Sequence, residues 1–149
     1  MIEIRLASVD EMLTNGQTLF ERHWHEIALN KELMQLKPDA AKYKQIEEAG
    51  NMLILSAHEG GQLIGYSVNF IINHLHYSDL VLCQNDLLFL IPEKRSGRIG
   101  LKLILETEKH AQDRGAHMVI WHAKQGTALT EILPKLGYGI QDIMFSKGI

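Results

Sequence analysis

Apolar positions along the chain change their spacing from one segment to the next. Residues 2–7 alternate apolar and polar, which predicts a first strand. Residues 9–30 carry apolar positions at helical spacing, with a break at Asn15-Gly16 and a cap from Ser8 or Asp10. A second helical stretch covers 39–49, and Gly50 stands where a helix C-terminus needs it. Met52 to Ala57 reads as a strand, Gly60-Gly61 as a turn, and Gln62 to Asn73 as a second strand with Tyr66, Val68, Phe70 and Ile72 on one face. Together these predict a β-hairpin. After the polar stretch His74 to Ser78, a long strand from about Asp79 to Ile91 is ended by Pro92.

The second half has its own punctuation. Gly100, Ile104, Thr107 and Ala111 form an apolar stripe opposite Lys102, Glu106, Lys109 and Asp113, which predicts a helix stopped by Gly115. His117 to Ala123 reads as a short strand, Thr127 to Leu136 as a short helix despite Pro134, and Ile140 to Lys147 as a last strand. With no repeat and no Pro/Ser-rich linker, residues 1–149 are expected to form one domain. The expected class is mixed α/β, order β-α-α-β-β-β-α-β-α-β, with antiparallel neighbours first and strand–helix–strand crossovers near the C-terminus.

Composition narrows the function classes. The chain is 46% hydrophobic and 22% charged with 12 Gly and 3 Pro, which excludes disorder and collagen-like architectures. Fifteen basic against 18 acidic residues, net −3, argue against non-specific nucleic-acid binding as the main task. The single Cys83 excludes an internal disulfide and fits buried packing better than nucleophilic duty. The charged N-terminal residues lack a secretory pattern, and the densest apolar run, Leu87 to Ile91, is far short of a membrane span. The expectation is a cytoplasmic protein with no membrane role.

One segment carries chemistry. From Leu88 to Leu101 a buried strand enters a short glycine-containing loop that opens a helix. The first turn of a helix leaves N–H groups unpaired and adds partial positive charge, so such a junction cradles anions. Lys94, Arg95, Arg98 and Lys102 cluster there in an otherwise acidic chain. The alternative at this point is a basic connecting loop that binds nothing.

These residues resemble the GNAT acetyltransferase superfamily. That family has an apolar-Pro-Glu strand end, then R/Q-x-x-G-x-G/A, then a helix, and later a K-L-G-F/Y signature. Leu88 to Gly100 stand at the first and Lys135-Leu136-Gly137-Tyr138 at the second, and the resemblance spans essentially the whole chain. It implies a GNAT-like central sheet with helices on both faces. It implies acetyl-CoA as cosubstrate, with the diphosphate on Arg95, Ser96, Gly97, Arg98, Ile99, Gly100 and Leu101. The pantetheine arm would pair with the backbone of Leu88, Phe89 and Leu90. The activity implied is acetyl transfer to an amine acceptor by direct attack in a ternary complex. The acceptor is a small molecule or a protein or nucleic-acid amine, and a non-catalytic CoA-binding module is the alternative. Two positions depart from the family: Arg98 stands where it has Gly, with Gly97 one place early, and Leu133 stands where a tyrosine acid is common.

Acetyl transfer needs a base for the amine and a donor for the developing oxyanion. Asp86 lies in the otherwise apolar run Leu80 to Ile91 and, by strand alternation, shares a face with Gln84, Leu88 and Leu90. If buried, it would have a raised pKa and suit the base; Gln84 and Asn85 offer the alternative of positioning a water. His74, His76 and Tyr77 are assigned, by the resemblance, to the acceptor rim. The pairs His23/His25 and His74/His76 lack further ligands at metal spacing, so no metal is expected. Phe20, Trp24 and Leu29 read as helix-face core residues, and of Trp121 and His122 one is expected to face the core. A homodimer in which a partner completes the sheet edge is the open expectation for assembly.

Overall fold

In the computed structural model, which describes residues 1–149, five strands lie in the order β1-β2-β3-β4-β5: Ile2–Leu6, Met52–Glu59, Gln62–Asn73, Val81–Leu90 and Met118–Ile120. The first three pairings are antiparallel and β4–β5 is parallel, as expected for a strand reached through a helical crossover. The helices are α1 (Val9–Asn15), α2 (Gln17–Ile27), α3 (Ala40–Glu48), α4 (Ile99–Asp113) and α5 (Leu129–Lys135), with a 3-10 turn at Pro92–Lys94. Ser8 caps α1 by accepting from the Glu11 amide, and Asp39 caps α3 by accepting from the Lys42 amide. Gly60 and Gly61 both take positive φ, the two-residue turn that suits the twist of β2 and β3.

Both faces of the sheet are covered, which is why seven of the eight residues of β2 are buried. Helices α1–α3 cover one face, where Val9, Met12 and Leu19 pack on Met52, Ile54, Tyr66, Val68 and Phe89. Helix α4 covers the other, where Ala111 meets Leu53, Ile71 and Cys83. Arg114 fastens the end of α4 to the start of β2 by donating to the carbonyls of Met52 and Gly50.

A polar seam runs through the α4 side. Asn69 Nδ2 donates to Leu53 O (3.1 Å) and Ser67 Oγ (3.0 Å), and Thr107 Oγ1 lies 2.9 Å from the same Ser67 hydroxyl. Asn85 Nδ2 lies 2.9 Å from Asn69 Oδ1, 3.3 Å from Val68 O and 3.1 Å from Leu87 O. This clasp sits on a β-bulge: Val68 pairs with Leu87 but Asn69 pairs with Asn85, so Asp86 is the extra residue.

Two expectations are corrected. Residues 139–149 form no strand, and Ile140, Ile143, Met144 and Phe145 are between 76% and 90% exposed. Ile143 to Phe145 are consecutive apolar residues, a pattern that suits a strand covered on both faces, and three-residue β5 ends the sheet with no cover beyond it. The chain end instead runs beside the α2–α3 connection, near Asn30 and Leu33. Leu29 lies past the end of α2 and is exposed, unlike Phe20, which packs on the core.

Replacing Asn85 with Ala strands Asn69 Oδ1 in the interior. Urea denaturation should show a loss of about 1–3 kcal/mol, whereas Asp86→Asn, on the exposed outside of the bulge, should stay within about 0.5 kcal/mol of the parent. Equal effects would remove the clasp role from Asn85.

Candidate active site at the parting of two strands

β5 pairs with β4 only at Leu82, Cys83 and Gln84. Beyond Gln84 the two strands part, and the outer edge of β4 from Asn85 onward has no strand beside it. The Ile91 amide donates to Ile64 O on β3. Antiparallel alternation then turns the peptide groups of Phe89 and Leu87 toward β3 and those of Leu88 and Leu90 toward the open edge. Leu88 and Leu90 thus offer backbone there, although Leu90 O already accepts from Arg95 Nε at 2.7 Å. Phe89 does not, contrary to expectation: its peptide faces β3 and its ring lies in the core. Opposite Leu90 stands Gly65, where a Cβ would come 2.7 Å from Phe89 O, so only glycine lets β3 and β4 close here.

At the end of this edge the chain turns into α4. Lys102 makes the first backbone bond back into the turn, to Arg98 O at 2.9 Å. The amides of Ser96, Gly97, Arg98, Ile99, Gly100 and Leu101 donate to no other protein atom, and no side chain caps the helix. A Cβ on Gly100 would meet only Leu90 Cδ2, at 3.8 Å, and one on Gly97 nothing within 4 Å, so there is open space at both glycines.

The basic residues divide into two groups. Arg95 turns back toward the protein: its guanidinium pairs through both terminal nitrogens with the Glu26 carboxylate of α2 at 2.7 Å and lies over the Phe89 ring at 5.3 Å. Arg95 also holds the Glu26 carboxyl below the usual range. Lys94 pairs with Glu59 at 2.6 Å, and Arg22 of α2 pairs with Glu93. Arg98 and Lys102 are exposed and form no ion pair. Of the four clustered cations, Lys94 and Arg95 brace the loop, and the other two, Arg98 and Lys102, stand free at the helix mouth.

Asp86 is exposed rather than buried. The bulge also changes its company. Asp86 accepts a 2.7 Å hydrogen bond from the Tyr43 hydroxyl of α3, on the side where Leu87 packs against the α1–α3 core, while Leu90 packs on the α4 side with Ile99. Asp86 therefore shares a face with Leu87 rather than with Leu88 and Leu90. Burial and the Asp86 carboxylate both push the Tyr43 pKa up, so the hydroxyl stays protonated as a donor. Asn85 gives its Nδ2 to the clasp.

Beside this pair lies a cavity of about 180 Å³ under α1, α2 and α3, floored by Ile54, Tyr66, Val68 and Leu87. His23 of α2 is buried in its wall, paired with the Tyr66 hydroxyl at 2.8 Å and stacked on Phe89 at 4.8 Å. Burial lowers its pKa from 6.5 to about 4, so the ring is neutral near pH 7.

The remaining expected residues lie elsewhere. His74, His76 and Tyr77 cluster with one another in the β3–β4 connection, at the far end of β4 from the α4 mouth, and none lines the cavity. No group of three or more His, Cys, Asp or Glu side chains is placed to hold a metal ion. Cys83 is buried, which pushes its thiol up to about 11. Trp121 has a buried Nε1 and His122 is exposed, 3.5 Å from Gln84. Leu133 is buried in α5. Three residues of the site were not found from sequence: Tyr43, His23 and Glu26. Tyr43 and His23 sit on helices at positions whose spacing marks only the inward face, and Glu26 gains its role through a partner 69 residues away.

No family model matches the chain, and no curated protein matches it in sequence. Solved structures do match. An aminoglycoside acetyltransferase from an uncultured soil metagenomic sample superposes with TM-score 0.78 at 16% identity, over 100% of this chain and 99% of that one. A predicted acetyltransferase with acetyl-CoA from Clostridium acetobutylicum gives 0.75 at 13% identity, over 99% and 96%. A ribosomal-protein-alanine N-acetyltransferase from Brucella melitensis biovar Abortus 2308 gives 0.72 at 13%, over 100% and 99%. The fold of this chain is the GNAT fold.

A neutral His23 in the folded protein makes stability depend on pH. Its folded pKa lies below its unfolded value, so the unfolded chain binds the extra proton between about pH 6.5 and pH 4. Stability should be full above pH 6.5 and fall by up to about 1.4 kcal/mol per pH unit on the way down. His23→Phe should flatten that window in urea titrations at several pH values; an unchanged slope would show that His23 is not the group responsible.

Proposed function

We propose that the protein is an N-acetyltransferase that moves the acetyl group of acetyl-CoA to an amine by direct attack with both partners bound. The observation that carries this reading is the run of six free amides, Ser96 to Leu101, joined end to end with the open edge of β4 and the Asp86 bulge. A diphosphate suits the amides, the α4 dipole and the free Arg98 and Lys102. An extended amide-bearing arm suits the Leu88 and Leu90 peptide groups, because strand edges recognise backbone-like chains. Likeness to acetyltransferase structures, one with acetyl-CoA, supports the same assignment.

The chemistry then falls at the bulge. A bound ammonium gives its proton to Asp86, directly or through one water, and Tyr43 fixes the carboxylate while this happens. The amine nitrogen bonds to the acetyl carbon, the carbon–sulfur bond breaks, the nitrogen gives up its second proton to water, and CoA leaves as a thiolate that takes a proton back from water. An open-edge amide of β4 supplies the donor for the charge that builds on the acetyl oxygen. Leu133 offers no proton, and water serves as the acid in this reading. Exposure of Asp86 lets solvent reach both protons, so neither transfer needs a buried relay.

Acetyl-CoA at 100 times its Kd should stabilise the protein by about 2.7 kcal/mol, read as a rise in melting temperature. Gly100→Asp should fold normally, because its Cβ has room, and lose the shift by placing a carboxylate before the amides. No shift in the parent protein would end the acetyl-CoA reading. Asp86→Asn should keep the shift and slow thiol release on the order of 100-fold; unchanged turnover and pH profile would remove Asp86 as base.

A further inference from the structure

The cavity beside Asp86 has a chemistry of its own. It is lined by 14 residues, of which 12 are hydrophobic, and none carries a charge near neutral pH, since its one imidazole is the neutral His23. The rings of Phe20, Trp24 and Tyr43 form its walls and Leu36 and Pro38 lie along its border with the α2–α3 connection. Its size, about 180 Å³, is that of an aromatic ring with a short tail: an engineered apolar cavity of about 150 Å³ binds benzene and excludes water. Polarity begins at one point. Tyr43 lines the cavity and its hydroxyl donates to Asp86, and Leu87, the neighbour of Asp86 across the bulge, forms part of the floor. A ligand seated here has an apolar body in the cavity and its polar end at the Asp86 carboxylate.

We infer that the amine acceptor is an arylalkylamine: a single primary amine, held at Asp86, on an aromatic body that fills the cavity under α1–α3. This assignment rests on the acetyltransfer reading and specifies its second substrate. It also separates the protein from one of its structural relatives. An aminoglycoside carries several ammonium groups and many hydroxyls, and burying these against uncharged walls without partners is costly. Tyr43 and Asp86 answer one ammonium at the border of the cavity, and no carboxylate lines the cavity itself.

The test uses 2-phenylethylamine, ethylamine and the aminoglycoside tobramycin with the intact protein and acetyl-CoA, followed by thiol release. Removing the ring from water is worth about 2–3 kcal/mol, so kcat/KM for 2-phenylethylamine should exceed that for ethylamine by about 30-fold or more, with tobramycin no better than ethylamine. Leu36→Glu, at a partly exposed border position, should keep the acetyl-CoA melting shift and lose most of the preference for the ring. In a titration without acetyl-CoA, 2-phenylethylamine should shift the NMR signals of the Trp24 indole and the Met12 methyl saturably. Equal kcat/KM for the two simple amines, faster turnover of tobramycin, or no shift at Trp24 would each overturn the inference while leaving acetyl-CoA binding intact. An absent acetyl-CoA melting shift would instead bring down the acetyltransfer reading, and with it the role of the cavity as an acceptor pocket.

Discussion

The open edge of β4 is the constraint from which the rest follows. A strand in the middle of a sheet has no spare hydrogen-bonding groups; β4 has them because β5 pairs with it over three residues and then leaves. The parting needs something to stop β4 from collapsing onto its neighbours. On the β3 side the ladder continues to Ile91, secured by the missing Cβ of Gly65. On the outer side Arg95 folds back onto Leu90 O, so the strand ends in a fixed direction and delivers α4 with its first amides bare.

Arg95 also links the two halves of the proposed site. Its ion pair with Glu26 joins the loop before α4 to α2, and Arg22 repeats the connection one turn earlier through Glu93. Helix α2 is the same element that supplies His23 and Trp24 to the apolar cavity. Each of these exposed pairs alone contributes little to stability. Their effect is geometric, because they tie the helix that forms one cavity wall to the loop that leads into α4.

Much of this was legible in the sequence because period and punctuation are local. The β2–β3 hairpin, the stripe on α4, the stop at Gly115 and the strand–loop–helix junction all appear where their spacing places them. The failures come from features that spacing does not carry. A bulge adds one residue and reverses the alternation beyond it, so Asp86 sits with Leu87 instead of Leu88 and Leu90. The partition of the basic cluster depends on Glu26, Glu59 and Glu93, which the chain brings together only on folding. The tail after Tyr138 has strand-forming residues and no covered surface to lie on. Apolar positions on α1 to α3 mark what turns inward, but not that the inward faces leave a hollow.

Asn85 and Asp86 are neighbours in the chain with opposite freedoms. Asn85 is held through its Nδ2 by Asn69, Val68 and Leu87, and its loss disturbs the interior. Asp86 projects from the bulge into solvent, with one phenol as its partner. A lineage carrying this scaffold is thus able to sample different side chains at the proposed reacting position without rebuilding the frame beneath it. Divergence of chemistry is cheap at one residue and nearly forbidden at the next.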